Sequence, residues 1–188
     1  MDPRDAVMLA IEQEERGELR GRTLLQKKLY FASVLTNEDF GFVPHYYGPY
    51  SQSVADAVNS LAANHFVQER TETLPGEPNV FGERRRHSYS LTGDGQAVLA
   101  AMDKLPDTAK WREALKKVNS DPVAKDFNLL SVAAKIHLIV KAVGKATRRE
   151  IKVQAKRYGW KMSEDDIRKV EDYLFNHLGV LTTMPSGS

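Results

Sequence analysis

Seven cations lie between Lys145 and Lys161: Lys145, Arg148, Arg149, Lys152, Lys156, Arg157 and Lys161, against Glu150 alone. Arg148, Lys152 and Lys156 recur every four residues, so on a helix they form one basic stripe. Such a stripe can neutralise phosphates and release counterions, which makes binding weaken steeply with salt. The same cations could instead answer the acids of Ser163-Glu164-Asp165-Asp166 within the fold. A second basic run, Arg84-Arg85-Arg86, precedes His87. At the base of a β-hairpin it could grip a nucleic-acid backbone, or pair with Glu69, Glu72 or Glu83.

Catalytic patterns are sparse. The five histidines, at 45, 65, 87, 137 and 177, show no metal-ligand spacing, and there is no cysteine. No Gly-x-Ser-x-Gly elbow or phosphate-binding loop is present. Neither a catalytic residue, a cofactor nor a metal is expected, and an enzyme is the third-ranked reading.

The elements that must position the basic groups follow from periodicity. Residues 3–16 read as a helix with Ala6, Val7, Met8, Ala10 and Ile11 on its apolar side. Gly17 and Gly21 bracket a short loop, Thr23 is a candidate N-cap, and a second helix runs to about Leu35, with Lys27 and Lys28 toward its flank. Residues 37–50 form an aromatic loop containing Phe40, Phe42, Tyr46, Tyr47 and Tyr50. These rings could dock a protein partner or pack beneath Tyr30 and Phe31. Pro49 pushes Gly48 out of the helical region, and Ser51 or Ser53 then caps a third helix. Its Val54, Ala57, Val58 and Leu61 face inward. Gln52, Ser53 and Asn59 could reach base edges, although Ser51 to Asn64 carries no Lys or Arg and does carry Asp56.

A strand at 66–71, a Pro/Gly-rich loop at 74–82 and a return strand at 86–91 follow, and Thr92 opens a fourth helix to about Leu105. The order over residues 1–105 is that of a winged helix-turn-helix, with the inter-strand loop as its wing. Residues 106–124 read as a polar connector holding a short helix around Trp111 to Val118. Residues 125–183 read as a smaller helical, helix-turn-helix-like domain. It comprises an apolar helix from Leu129 to Val143, a capping box at Thr147 and a helix from Ser163 with Ile167, Val170, Leu174 and Leu178 inward. A strand over 180–183 and a disordered tail at 184–188 end the chain. The expected fold class is mainly α with a small β wing.

Length and composition agree with this. The chain has 188 residues, 41% hydrophobic and 28% charged, and a net charge of +2, too balanced to imply nucleic-acid binding by itself. The charged start Met1-Asp2-Pro3-Arg4-Asp5 shows no signal peptide, no stretch reads as a membrane span, and the absence of cysteine suits a reducing compartment, so a cytoplasmic location is expected. The Leu129–Val143 helix could be a homodimer interface or the hub of the second domain.

Two phrases carry resemblances. Tyr89-Ser90-Leu91-Thr92-Gly93-Asp94-Gly95-Gln96-Ala97-Val98-Leu99 resembles the strand-to-helix junction of MarR- and PadR-type winged-helix regulators, where Leu-Thr-x-x-Gly follows the wing strand. Leu25-Gln26-Lys27-Lys28-Leu29-Tyr30-Phe31-Ala32, followed by Tyr47-Gly48-Pro49-Tyr50-Ser51, resembles the Panacea domain of SocA-type antitoxins and related small prokaryotic proteins. That resemblance covers roughly residues 20–105 and implies toxin neutralisation, in some members coupled to proteolytic adaptation or DNA binding. Together these readings lead to a non-enzymatic DNA-binding or antitoxin-like regulator with duplex DNA or a toxin-like protein as partner. The alternative is a protein-interaction module of winged-helix shape that binds no DNA.

Overall fold

A computed structural model describes residues 1–73 and 85–181. The wing loop at 74–82, Arg84, the end of the expected 180–183 strand and the 184–188 tail lie outside the described residues.

Helix α1 (Pro3–Glu12) is capped by Asp2, whose carboxylate accepts from the Arg4 N–H, and every residue from Ala6 to Ile11 is buried. A helix apolar on all sides belongs in a core. A three-residue strand, β1 (Glu18–Arg20), follows and leads into α2 (Arg22–Thr36), in which every residue from Leu25 to Ser33 is buried. The hairpin β2 (Val43–His45) and β3 (Gly48–Tyr50) precedes α3 (Gln52–Ala63), which Ser51 caps through its hydroxyl. As its periodicity predicts, Val54, Ala57, Val58 and Leu61 are the buried residues of α3.

Strands β4 (Val67–Thr73) and β5 (Arg85–Leu91) pair antiparallel, and β1 adds to the other edge of β5, giving the order β1-β5-β4. The register sets Leu19 opposite Tyr89 and Glu69 opposite Tyr89 on the far side. Helix α4 (Gly93–Met102) starts at Thr92. Then come α5 (Pro106–Asn119), a 3₁₀ turn (Pro122–Lys125), α6 (Phe127–Val143), α7 (Arg148–Arg157) and α8 (Glu164–Asp172), which ends in a π turn (Tyr173–His177).

Five expectations need correction. The aromatic loop at 37–50 contains the β2–β3 hairpin, whose three-residue strands pair antiparallel. The segment between Gly17 and Gly21 contains β1, a strand too short for its alternation to show, with Leu19 as its single buried residue. Gly21, not Thr23, is the N-cap of α2, because its N–H donates to His87 O and the sheet thereby fixes where the helix begins. The 106–124 connector is a 14-residue core helix: Trp111 is completely buried, stacks on Phe40 at 5.3 Å and donates its Nε1–H to Glu38. At the end of the described chain, the Val180 and Leu181 N–H groups donate to Leu174 O and close a helix terminus rather than a strand.

Two hydrophobic clusters share α2 and α5. Leu25, Leu29 and Ala32 join Trp111 and Leu115 in the first. Tyr30 and Phe31, one step round the helix, join Val118 and the apolar faces of α6, α7 and α8 in the second. Helix α6 is therefore the hub of the second cluster. Both α7 and α8 open with capping boxes, at Thr147/Glu150 and Ser163/Asp166, and Ile167, Val170, Leu174 and Leu178 face inward as their spacing predicts. Among the described residues no single helix is long and apolar enough to cross a membrane.

Candidate functional site

The two phrases of the N-terminal half form one interlocking joint. Gln26 Nε2 donates to Ser51 O, and the Ser51 N–H donates to Gln26 Oε1, each at 2.9 Å. One buried amide thus satisfies both backbone groups of the residue that caps α3. Lys27 Nζ donates to Pro49 O at 2.5 Å. Gly48 adopts φ +103°, and a Cβ there would sit 3.1 Å from Lys135 Cγ and 3.3 Å from Lys27 Cε. Glycine is required both for that backbone angle and for the close passage of two lysine stems. Lys27 is 2% exposed; burial, reinforced by Lys135, pulls its pKa down to about 7. Lys28 is buried too and pairs with Glu14 at 2.5 Å, so neither lysine lies on the flank of α2 that periodicity alone assigns them.

The aromatic segment divides. Phe40 is buried against Trp111, and its carbonyl accepts from the hydroxyls of Ser51 and Ser53. Phe42 packs edge-on to Tyr30 at 5.2 Å. Neither presents a docking surface, because both rings cover the clusters beneath. Tyr50 is half-buried beside the His45 ring and donates to Gln52 Oε1. The hairpin tip is what reaches the surface: Tyr46 is 46% exposed and meets Tyr47 edge to face.

The expected base-reading residues of α3 are exposed, but two are occupied: Gln52 Nε2 donates to Asp56 Oδ1, and Ser53 Oγ to Phe40 O. Asn59 points to solvent. At the start of β5 Arg85 is exposed, and Arg86 lies 3.8 Å from Glu72. Just below, Glu69 collects Arg22, His87 and Tyr89. Burial works against its ionisation, yet the hydrogen bonds from Arg22 and Tyr89 hold its pKa below the usual glutamate value.

The stripe on α7 is largely committed to the fold. Arg148 makes a bidentate pair with Glu171 of α8, at 2.6 and 2.7 Å, and Glu171 is 4% exposed. Lys152 reaches Glu164 at 3.2 Å. Arg148 is thus an α7–α8 clamp rather than a free contact, and the internal alternative for the basic stripe holds for these two residues. Lys156, at the far end, is exposed, as are Lys145, Arg149 and Lys161, and among the described residues none of the four makes an ion pair, while Arg157 donates to the neutral Gln154.

Beyond α7 the chain turns through Tyr158-Gly159-Trp160. Trp160 is buried and donates its Nε1–H to His45 O at 2.8 Å, which ties the β2–β3 hairpin to this turn. Tyr158 stacks on it at 4.7 Å with 30° between the planes and is 41% exposed. Lys135 Nζ lies 5.6 Å from the Trp160 ring centre. Sequence reasoning missed both this turn and the burial of Lys27. The available signal was a tryptophan in an otherwise polar inter-helix segment.

No family model matches the chain. A stretch of 110 residues is 31% identical to the uncharacterised protein YwgA of Bacillus subtilis (strain 168), covering 56% of this chain and 61% of YwgA. The likeness carries no assigned activity.

Among the described residues no group of three or more His, Cys, Asp or Glu could hold a metal ion. Buried polar pairs include Tyr30 with His137 and Lys27 with Pro49 O. At the surface, Lys156, Arg157, Tyr158 and Lys161 are all exposed.

Proposed function

We propose that this chain is a non-enzymatic regulator that binds nucleic acid on a winged-helix framework. The shape is supported by the order helix, strand, helix, β2–β3 hairpin, helix, strand, strand, and by the sheet order β1-β5-β4, in which the strand between the first two helices pairs with the return strand of the wing. The observation that carries the binding reading is a run of exposed cations on and around α7 that have no carboxylate partner among the described residues: Lys145, Arg149, Lys156, Arg157 and Lys161. A fold that pairs Arg148, Lys152, Lys169 and Arg112 to acids leaves these outward.

The α3 face argues against major-groove reading as the main contact, since Asp56 stands on it and no cation does. That observation favours a second reading, a protein-interaction module of the antitoxin type. Titration of fluorescent duplex and single-stranded oligonucleotides at low and moderate salt tests the choice. Salt-dependent binding supports the first reading. No binding at the lowest salt, with a stable complex formed by a co-expressed neighbouring-gene product, supports the second.

A further inference from the structure

We infer that the surface formed by Tyr158, Lys156, Arg157 and Lys161, beside the edge of the β2–β3 hairpin, binds single-stranded nucleic acid, with Tyr158 as the platform on which an unpaired base stacks. The inference rests on the nucleic-acid reading above and deepens it by naming the site and the strand state.

The ring of Tyr158 is held in place. Trp160 backs it at 4.7 Å and is itself fixed by the hydrogen bond to His45 O. Two carbonyls at the α7 terminus are capped: Ala155 O accepts from the Tyr158 and Trp160 N–H groups, and Lys156 O from the Gly159 N–H. A preorganised, half-exposed aromatic loses little entropy when a base stacks on it, and every base offers a π-face.

Charge complementarity identifies the ligand as an anion. Lys156, Arg157 and Lys161 flank Tyr158 in the chain and make no ion pair among the described residues, while the acids that follow are engaged elsewhere. Glu164 takes Lys152 and Arg168, Asp165 takes Lys169, and Asp166 caps Ser163. Cations supply the salt-dependent grip on phosphates, and the tyrosine adds a term that a duplex cannot use, because its base faces are covered by their neighbours. An acidic peptide would satisfy the cations but would gain little from a flat ring.

The test is fluorescence anisotropy on the full chain with a labelled oligothymidylate of about ten nucleotides, within the usual site size. A duplex of the same length and inorganic polyphosphate serve as comparison ligands. The expected result is single-strand binding tighter than duplex binding. Tyr158→Ala should weaken it about 5- to 150-fold, the loss of one stacked base, with the salt slope unchanged. Tyr158→Phe should retain it, and a Lys156→Ala/Lys161→Ala variant should lower the slope by roughly 1.4. Circular dichroism of each variant checks that the fold is kept. Equal affinity for duplex and single strand, polyphosphate competing as well as the oligonucleotide, or Tyr158→Ala binding like the parent in its folded state overturns the inference while leaving the nucleic-acid reading standing. No binding to either oligonucleotide at low salt removes both.

Discussion

The Tyr30 hydroxyl lies 2.7 Å from His137 Nδ1, joining α2 to α6 inside the second cluster. The hydroxyl donates to the neutral ring, whose other nitrogen faces the Val180 carbonyl. Burial, helped by the charge of Lys141, pulls the His137 pKa from 6.5 to about 4, against the Val180 contact. Unfolded, the ring takes up a proton near its ordinary pKa. Between about pH 6.5 and 4 the unfolded state therefore binds more protons, and stability present above that window is lost as pH falls. The loss should reach about 2 kcal/mol by pH 5. Urea midpoints at pH 7 and pH 5 measure it, and a Tyr30→Phe/His137→Leu variant should lack this part of the drop.

Lys27 acts in the same direction in a higher pH window. Its pKa is lowered from 10.5 to about 7 by burial and by Lys135. Between these values the unfolded chain again holds more protons, so stability rises as pH rises from about 7 toward 10.5. An increase of about 2 kcal/mol between pH 7 and 9 is expected, and Lys27→Met should flatten it. A parent protein whose urea midpoint is the same at both values contradicts the assignment.

Gly95 sets how closely α4 meets the sheet. A Cβ at this position would fall 2.1 Å from Phe66 O, a backbone atom that also accepts from the Thr92 N–H and hydroxyl. Gly95→Ala must push the helix off the strand junction. A loss of about 3 kcal/mol is expected, although alanine normally favours a helix. Thermal melting beside Gly93→Ala, where a Cβ meets nothing within 4 Å, separates the packing effect from propensity.

Two cations one stripe apart should behave differently. Arg148→Ala uncovers the buried Glu171 and should lower the melting temperature, with partial rescue by Glu171→Leu. Lys156→Ala should leave stability within roughly 0.5 kcal/mol and reduce the salt slope of single-strand binding by about 0.7. Differential scanning fluorimetry and salt-dependent titrations read the two effects.

The shared joint explains what each of the two N-terminal phrases does. Gln26 and Lys27 are the parts of the first that hold Ser51 and Pro49 of the second, and Gly48 makes room for Lys27. The Leu-Thr-x-x-Gly phrase is similar: Thr92 stitches α4 to Phe66 O, and Gly95 allows the approach. The phrases were visible as words; their pairing required residues far apart in the chain to meet.

Local signals determined the elements. Capping residues, helical spacing of apolar side chains and alternation in β5 are short-range properties, so the helices other than the full length of α5, the two long strands and the inward faces of α3 and α8 were legible in sequence. Strand β1 was not, because three residues carry too little pattern and only pairing with β5 defines them. Tertiary packing alone decided which charges are spent. Periodicity places Arg148, Lys152 and Lys156 on one face, but which of them meets an acid depends on where α8 lies. Burial likewise turned Lys27 from a flank residue into an interior donor and made Trp160 the anchor of the hairpin, because desolvation and contact depend on neighbours contributed by distant segments.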